Sequence, residues 1–168
     1  FYNYDASVFA QKSLTVFDQC WTSWRYFEGV ESSLRASLTF PPIKDLENGN
    51  IATLMQNHDS VAVHVRRGDY LSSPVLGGLV GIEYYAAAIQ LMRSEVRNPV
   101  FYIFSDDISW CRANILPLLG QEPVFVDWNH RSQSYVDMQL MSMCKHHIIP
   151  NSSFSWWGAY LAKHNQQI

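Results

Sequence analysis

Arg66 and Arg67 stand side by side in the stretch His64-Val65-Arg66-Arg67-Gly68-Asp69-Tyr70. Adjacent guanidinium groups are costly unless something anionic neutralises them, and their forked donors match phosphate oxygens. The plainer alternative is a surface ion pair beside a tight turn. Asp69 can hold Arg67 or His64 in place, and Gly68 lets the backbone turn. A second candidate is Phe104-Ser105-Asp106-Asp107. Its paired carboxylates suit either a divalent cation on a diphosphate or the cap of a following helix with hydrogen bonds to a ligand. A third is Asn151-Ser152-Ser153-Phe154-Ser155. Small hydroxyl residues ahead of a helix gather hydroxyls and backbone N–H groups near its positive end, which makes an anion site or a plain N-cap. His146-His147 has no Cys or carboxylate at ligand spacing, and adjacent strand residues diverge, so it does not read as a metal motif.

These stretches need a scaffold that brings them together. Val61-Ala62-Val63-His64-Val65, Pro99 to Phe104, Val124-Phe125-Val126 and His147-Ile148-Ile149 read as short buried strands. Between them lie helical patterns. Ile82, Tyr85, Ala86, Ile89 and Val96 recur at helical spacing, a helix follows Asp106 or Asp107 to about Leu119, and Ser134 with Asp137 resembles a capping box opening a helix to Lys145. Another helix begins near Trp156. Ahead of the first strand, Val8 to Val30 shows a loose helical rhythm. Ile43 to Gln56 suits a short helix with a weak point at Asn48-Gly49-Asn50. Alternating strands and helices imply an α/β fold, a Rossmann-like parallel sheet with flanking helices. Such sheets bind ligands beyond the carboxyl ends of their strands, where all three candidate stretches fall.

Composition narrows the class of ligand. A chain of 168 residues with 48% hydrophobic and 16% charged residues can build a real core. A net charge of −3 argues against a nucleic-acid partner, while a few local arginines can still hold a small anion. The three cysteines, Cys20, Cys111 and Cys144, cannot all pair and fit a reducing compartment. No stretch is long and apolar enough to span a membrane.

Read in order, His64–Tyr70, Phe104–Asp107, Phe125-Val-Asp-Trp-Asn129, Ser134–Leu140 and Leu140–Gly158 resemble the bacterial α-1,2-fucosyltransferases of glycosyltransferase family 11. The likeness runs at least from Val61 to Ala162, and Trp21–Phe40 is similar to the stretch ahead of the family's first motif. It implies the nucleotide-binding half of a GT-B-type enzyme, with residues 1–57 a mainly helical remnant of the N-terminal lobe or an inter-lobe segment. Residues 58–168 would be the GDP-sugar-binding domain, incomplete at both ends. It implies inverting transfer of L-fucose from GDP-fucose to a galactose-type 2-hydroxyl, independent of metal and cofactor. Arg66 maps to the arginine that grips the donor diphosphate. Ser152, Ser153 and Ser155 map to the serine-rich phosphate turn, with Asn151, Arg67, Asp106 and Asp107 beside them. Asp69 and His64 both remain candidates for the general base. His147 and Pro150 replace the Asn and Ala expected in the family pattern. A glycine-rich Gly-x-Gly-Asn-Gln segment is expected further toward the N-terminus and is not found here, so this piece alone is expected to be inactive. The partners implied are GDP-fucose and a glycan acceptor, in the cytoplasm, with peripheral contact at an inner membrane left open. Another GDP-fucose-dependent transferase (O- or α-1,6-linked) and a non-catalytic sugar-binding module are the rival readings.

Overall fold

The computed structural model describes residues 4–16, 23–72, 78–164 and 167–168. Cys20 and Trp21 lie outside them. The chain divides into two units, Phe1–Pro41 and Pro42–Ile168. Among the described residues of the first unit, helical rhythm yields only 3₁₀ turns at Ala6–Ala10 and Trp24–Phe27 and one short helix, α1 (Glu31–Ser37), none with a buried residue. Short helices are marginal unless a buried face supports them. The local ties here are aromatic. Tyr26 packs 4.9 Å from Tyr4, and its hydroxyl accepts from the Asp5 N–H at 2.8 Å.

The second unit begins with α2 (Leu46–Asn57), capped by Asp45, whose carboxylate accepts from the Asn48 N–H at 2.8 Å. Then follow β1 (Asp59–Val65), α3 (Ile82–Glu95), β2 (Pro99–Ser105), α4 (Ile108–Asn114), α5 (Leu116–Leu119), β3 (Val124–Val126), α6 (Ser134–Met141), β4 (His146–Ile148) and α7 (Ser153–Leu161). The single helix expected up to Leu119 is split in two, because Pro117 in the first turn of α5 has no N–H to continue α4. The capping box expected at Ser134 does not form. Gln133 is the N-cap residue, and Asp137 turns to Asn129 instead.

All four strands are parallel, in the order β3-β2-β1-β4. Strand alternation divides the core in two. Val61, Val63, Val65, Phe101, Ile103, Phe125 and Ile148 face α3, α4 and α5, packing on Tyr85, Ile89, Cys111, Ile115 and Leu119. Ala62, Tyr102, Phe104 and Val126 face α2 and α6, packing on Met55, Val136, Leu140 and Met141. A Cβ on Gly158 would lie 3.0 Å from the Met141 Cβ, so the missing side chain is what lets α7 approach α6 so closely.

The expected weak point in α2 is instead its anchor. Asn48, 3% exposed, donates to Asp45 at 3.1 Å and to Asn129 at 2.8 Å. Its carbonyl oxygen accepts from the Trp128 indole and from Asn129, both at 2.9 Å. A fully satisfied buried amide of this kind offsets the low helix propensity of Asn-Gly. The network ends at Asp137, which accepts from Asn129 at 2.8 Å. Burial pushes the Asp137 carboxyl up to about 6, against the pull of that hydrogen bond.

A carboxyl raised by folding binds its proton more tightly in the native state. Its contribution to stability is therefore full below about pH 4 and is lost as pH rises through about 6. Asp137→Asn keeps the acceptor for Asn129 and removes the buried charge. It should stabilise the protein at pH 7 by about 1–3 kcal/mol, with the gain vanishing near pH 4. Denaturant midpoints of the two proteins across this range check it, and a pH-independent difference would contradict it.

Candidate active site

The chain runs outward from β1 to β2 to β3 and then returns to place β4 on the other side of β1. The order therefore reverses between β1 and β4, and in parallel α/β sheets ligands bind at such a switch point. Val63 of β1 pairs with Ile148 of β4, and Val65 with Ser105 of β2. Arg66 thus emerges between the loop that carries Asp106 and Asp107 and the turn that carries Asn151 to Ser155. All three sequence candidates share one edge.

Asp106 joins two of them. One carboxylate oxygen accepts from the Arg67 N–H at 2.9 Å, and the other accepts from the Gly68 N–H at 3.1 Å. The second oxygen also lies 3.0 Å from Nη1 of Arg66. A Cβ on Gly68 would come within 2.7 Å of that oxygen, so only glycine fits without moving the carboxylate. Nε of Arg66 donates to Asp69 at 2.9 Å. This holds the Asp69 carboxyl below the usual carboxylate range. Two carboxylates fix the guanidinium plane, one through Nε and the other through Nη1.

Arg67 does a different job. It donates to Asp107 at 3.1 Å and lies 4.3 Å over the Trp110 ring, with only 18% of its side chain exposed. The expectation that Arg67 braces Asp69 is corrected: Asp69 pairs with Arg66, because alternation past β1 sends Arg67 to the α4 side. Asp107 is the cap of α4, accepting from the Trp110 N–H at 3.0 Å, and this hydrogen bond lowers its carboxyl. Both aspartates of the pair are engaged by arginines and backbone N–H groups. Among the described residues, no cluster of three or more His, Cys, Asp or Glu side chains is placed to hold a metal ion.

His64 is 4% exposed, 5.7 Å from the Phe154 ring, and its Nδ1 is buried without a partner. Burial, with the Arg66 charge nearby, pushes its imidazole down to about 3. A neutral, sealed histidine is badly placed to exchange a proton with a ligand. Asp69 is ionised and half-exposed.

The serine turn opens α7. Ser152 is the N-cap residue but makes no side-chain cap, so the first N–H groups of the helix have no side-chain acceptor there. Ser153 and Asn151 are exposed. Ser155, grouped with them from sequence, is fully buried, and its hydroxyl donates to the Ser152 carbonyl at 3.2 Å. It braces the turn from inside rather than facing a ligand. Sequence reading also missed two tyrosines. The Tyr84 hydroxyl donates to the Ile149 carbonyl at 2.6 Å and the Tyr70 hydroxyl to the Asn151 carbonyl at 2.9 Å. Tyr84 carried a weak signal, since it falls beside the apolar stripe of α3 rather than on it.

The glycosyl transferase family 11 model matches residues 5–167. An alpha-1,2-colitosyltransferase of Escherichia coli is 38% identical over 151 residues, 86% of this chain and 50% of that protein. The O-antigen biosynthesis glycosyltransferase WbnK of Escherichia coli is 34% identical over 113 residues, 64% of this chain and 36% of that protein. The galactoside 2-alpha-L-fucosyltransferase SEC1 of Bos taurus is 37% identical over 148 residues, 83% of this chain and 40% of that protein. The chain spans half or less of the length of these relatives. With the parallel sheet and the switch-point arginine motif in place, a match over nearly the whole chain shows that it belongs to glycosyl transferase family 11.

Proposed function

We propose that the intact protein transfers L-fucose from GDP-fucose to a galactose-type 2-hydroxyl with inversion, and that residues 58–168 form the donor-binding half of a GT-B-type enzyme. The observation that carries this reading is that Arg66 and the α7 N-terminus follow adjacent parallel strands, β1 and β4, at one edge of the sheet where the strand order reverses. The acceptor oxygen attacks the anomeric carbon while the bond from that carbon to the β-phosphate oxygen breaks. The electron pair leaves with the diphosphate. Arg66, together with the N–H groups of Ser153 and its neighbours, would stabilise the charge that develops there. Asn151, Ser152 and Ser153 shape the turn, while Asp106 and Asp107 serve as positioning groups for the arginines. Asp69 is favoured over His64 as acceptor of the hydroxyl proton, because it is ionised and reachable whereas His64 is buried and neutral.

A second reading differs only in the sugar. One relative is named for colitose, which has the fucose skeleton without the 3-hydroxyl. Comparing kcat/KM for the two GDP-sugars in the full-length enzyme decides between them.

Arg66→Lys in the full-length enzyme keeps the charge but loses the planar fork. Its turnover should fall on the order of a hundredfold, or about 3 kcal/mol. Arg67→Lys loses the stack on Trp110 and the bond to Asp107, so its defect should show mainly as a lower melting temperature. Near-normal turnover for Arg66→Lys alongside inactive Arg67→Lys would reverse the roles. If both variants stay active, the motif is structural.

The engagement of Asp106 and Asp107 by arginines and N–H groups supports catalysis without a metal ion. Activity of the full-length enzyme should survive EDTA. Abolition by EDTA with recovery on adding manganese or magnesium would overturn this part of the proposal.

A further inference from the structure

The β4–α7 turn has little support of its own beyond the inner brace of Ser155. Ser152 makes no side-chain cap at α7, and Pro150 has no N–H with which to bond the turn back to its neighbours. From outside, two hydroxyls hold its backbone carbonyls, and the Asn151 side chain donates to the Gly78 carbonyl at 3.4 Å. Tyr84, in the first turn of α3, donates to the Ile149 carbonyl at 2.6 Å, on the peptide entering Pro150. Tyr70, in the short 3₁₀ turn Asp69–Leu71 that follows Arg66, donates to the Asn151 carbonyl at 2.9 Å. Fixing the Asn151 carbonyl fixes the whole planar peptide Asn151–Ser152, whose N–H in turn donates to the Pro150 carbonyl at 2.8 Å. The orientation of this peptide sets where the first N–H groups of α7 point.

Tyr70 also stands next to Asp69, the residue that holds Nε of Arg66 at 2.9 Å. One 3₁₀ turn therefore carries both the brace of the guanidinium and the clamp on the serine turn. Both tyrosines are partly exposed, 41% for Tyr84, and neither belongs to the two buried core clusters. Their neighbour Tyr85 is the contrast. It is 1% exposed, packs in the core, and its hydroxyl bonds the His64 carbonyl at 3.2 Å.

We propose that Tyr70 and Tyr84 are positioning residues whose hydroxyls lock the β4–α7 turn, so that its N–H donors and the Arg66 guanidinium converge on one diphosphate. This rests on the reading of that turn as the diphosphate site. It adds that the α7 N-terminus is preorganised not by its own sequence alone but also by two hydroxyl clamps borrowed from the β1 and α3 segments.

The experiment measures GDP and guanosine affinity by calorimetry for the full-length enzyme and its Tyr70→Phe, Tyr84→Phe and Arg66→Ala variants, with melting temperatures alongside. The ratio of the two affinities isolates what the diphosphate contributes. Each Phe variant keeps the ring and loses one hydrogen bond. Each should weaken GDP binding about fivefold while leaving guanosine binding unchanged. Arg66→Ala should reduce the ratio further. If Arg66→Ala collapses the ratio and both Phe variants preserve it, the clamps do no positioning and the proposal fails while the diphosphate site stands. If Arg66→Ala leaves the ratio intact, the diphosphate reading itself fails. Equal weakening of GDP and guanosine with a lower melting temperature would mean a merely structural role and would also overturn the proposal. The two tyrosines lie on different segments, so misfolding of one variant leaves the other as the test.

Discussion

β1 lies between β2 and β4, parallel to both, and every feature of the candidate site depends on that pairing. A parallel neighbour on each side sends three chain segments out of the sheet at the same edge. Val65 against Ser105 brings the arginine motif beside the aspartate pair, and Val63 against Ile148 brings it beside the serine turn. A slip of one residue in either ladder would invert the facing of every side chain beyond it. The buried rows on both sides of the sheet make such a slip costly. Val61, Val63 and Val65 must meet α3 to α5 while Ala62 meets α2 and α6.

The charges at this edge form a hierarchy. Asp106 is shared between two backbone N–H groups and the Arg66 guanidinium, so the loop after β1 is folded around a carboxylate from the loop after β2. Arg67 and Asp107 make a second, more sheltered pair under Trp110. Exposed ion pairs contribute little to stability on their own. Here they spend that small energy on orientation: adjacent arginines are turned to opposite sides, one towards α4 and one left at the rim with donors to spare. Some neighbouring features carry a stability cost. His64 is buried with an unpartnered nitrogen, and the Asp137 carboxyl is raised by burial. Local rules of folding tend to be broken where a protein binds or reacts, and both residues sit on the side of the sheet that faces α2, α6 and α7.

Much of the scaffold was legible in the chain. Short β-rich apolar runs separated by helical periodicity gave the alternating order, and that order gave a parallel sheet. The misses have physical causes. Periodicity in Val8 to Val30 produced only 3₁₀ turns among the described residues, since those elements bury no side chain. Asn48-Gly49-Asn50 looked like a break because propensity is local. The amide of Asn48 is satisfied by Trp128 and Asn129, about eighty positions away. Pro117 cut one expected helix into two by its missing N–H.

At the site, the residue types and their spacing determined which groups can meet an anion. Guanidinium forks after a strand and small hydroxyl residues before a helix are chemical facts of the sequence, and the fold class places both at carboxyl ends of strands. Which carboxylate each arginine takes could not be read from order alone. Asp69 is near both arginines in sequence, yet Arg67 is carried away from it to Asp107 by the alternation beyond β1 and the ring of Trp110. Nor could sequence separate Ser153 from Ser155, which differ by half a helical turn and so by exposure against burial. The clamps of Tyr70 and Tyr84 on the serine turn span 81 and 65 residues. Such contacts are set by how β4 returns to β1, and that return exists only once the sheet has formed.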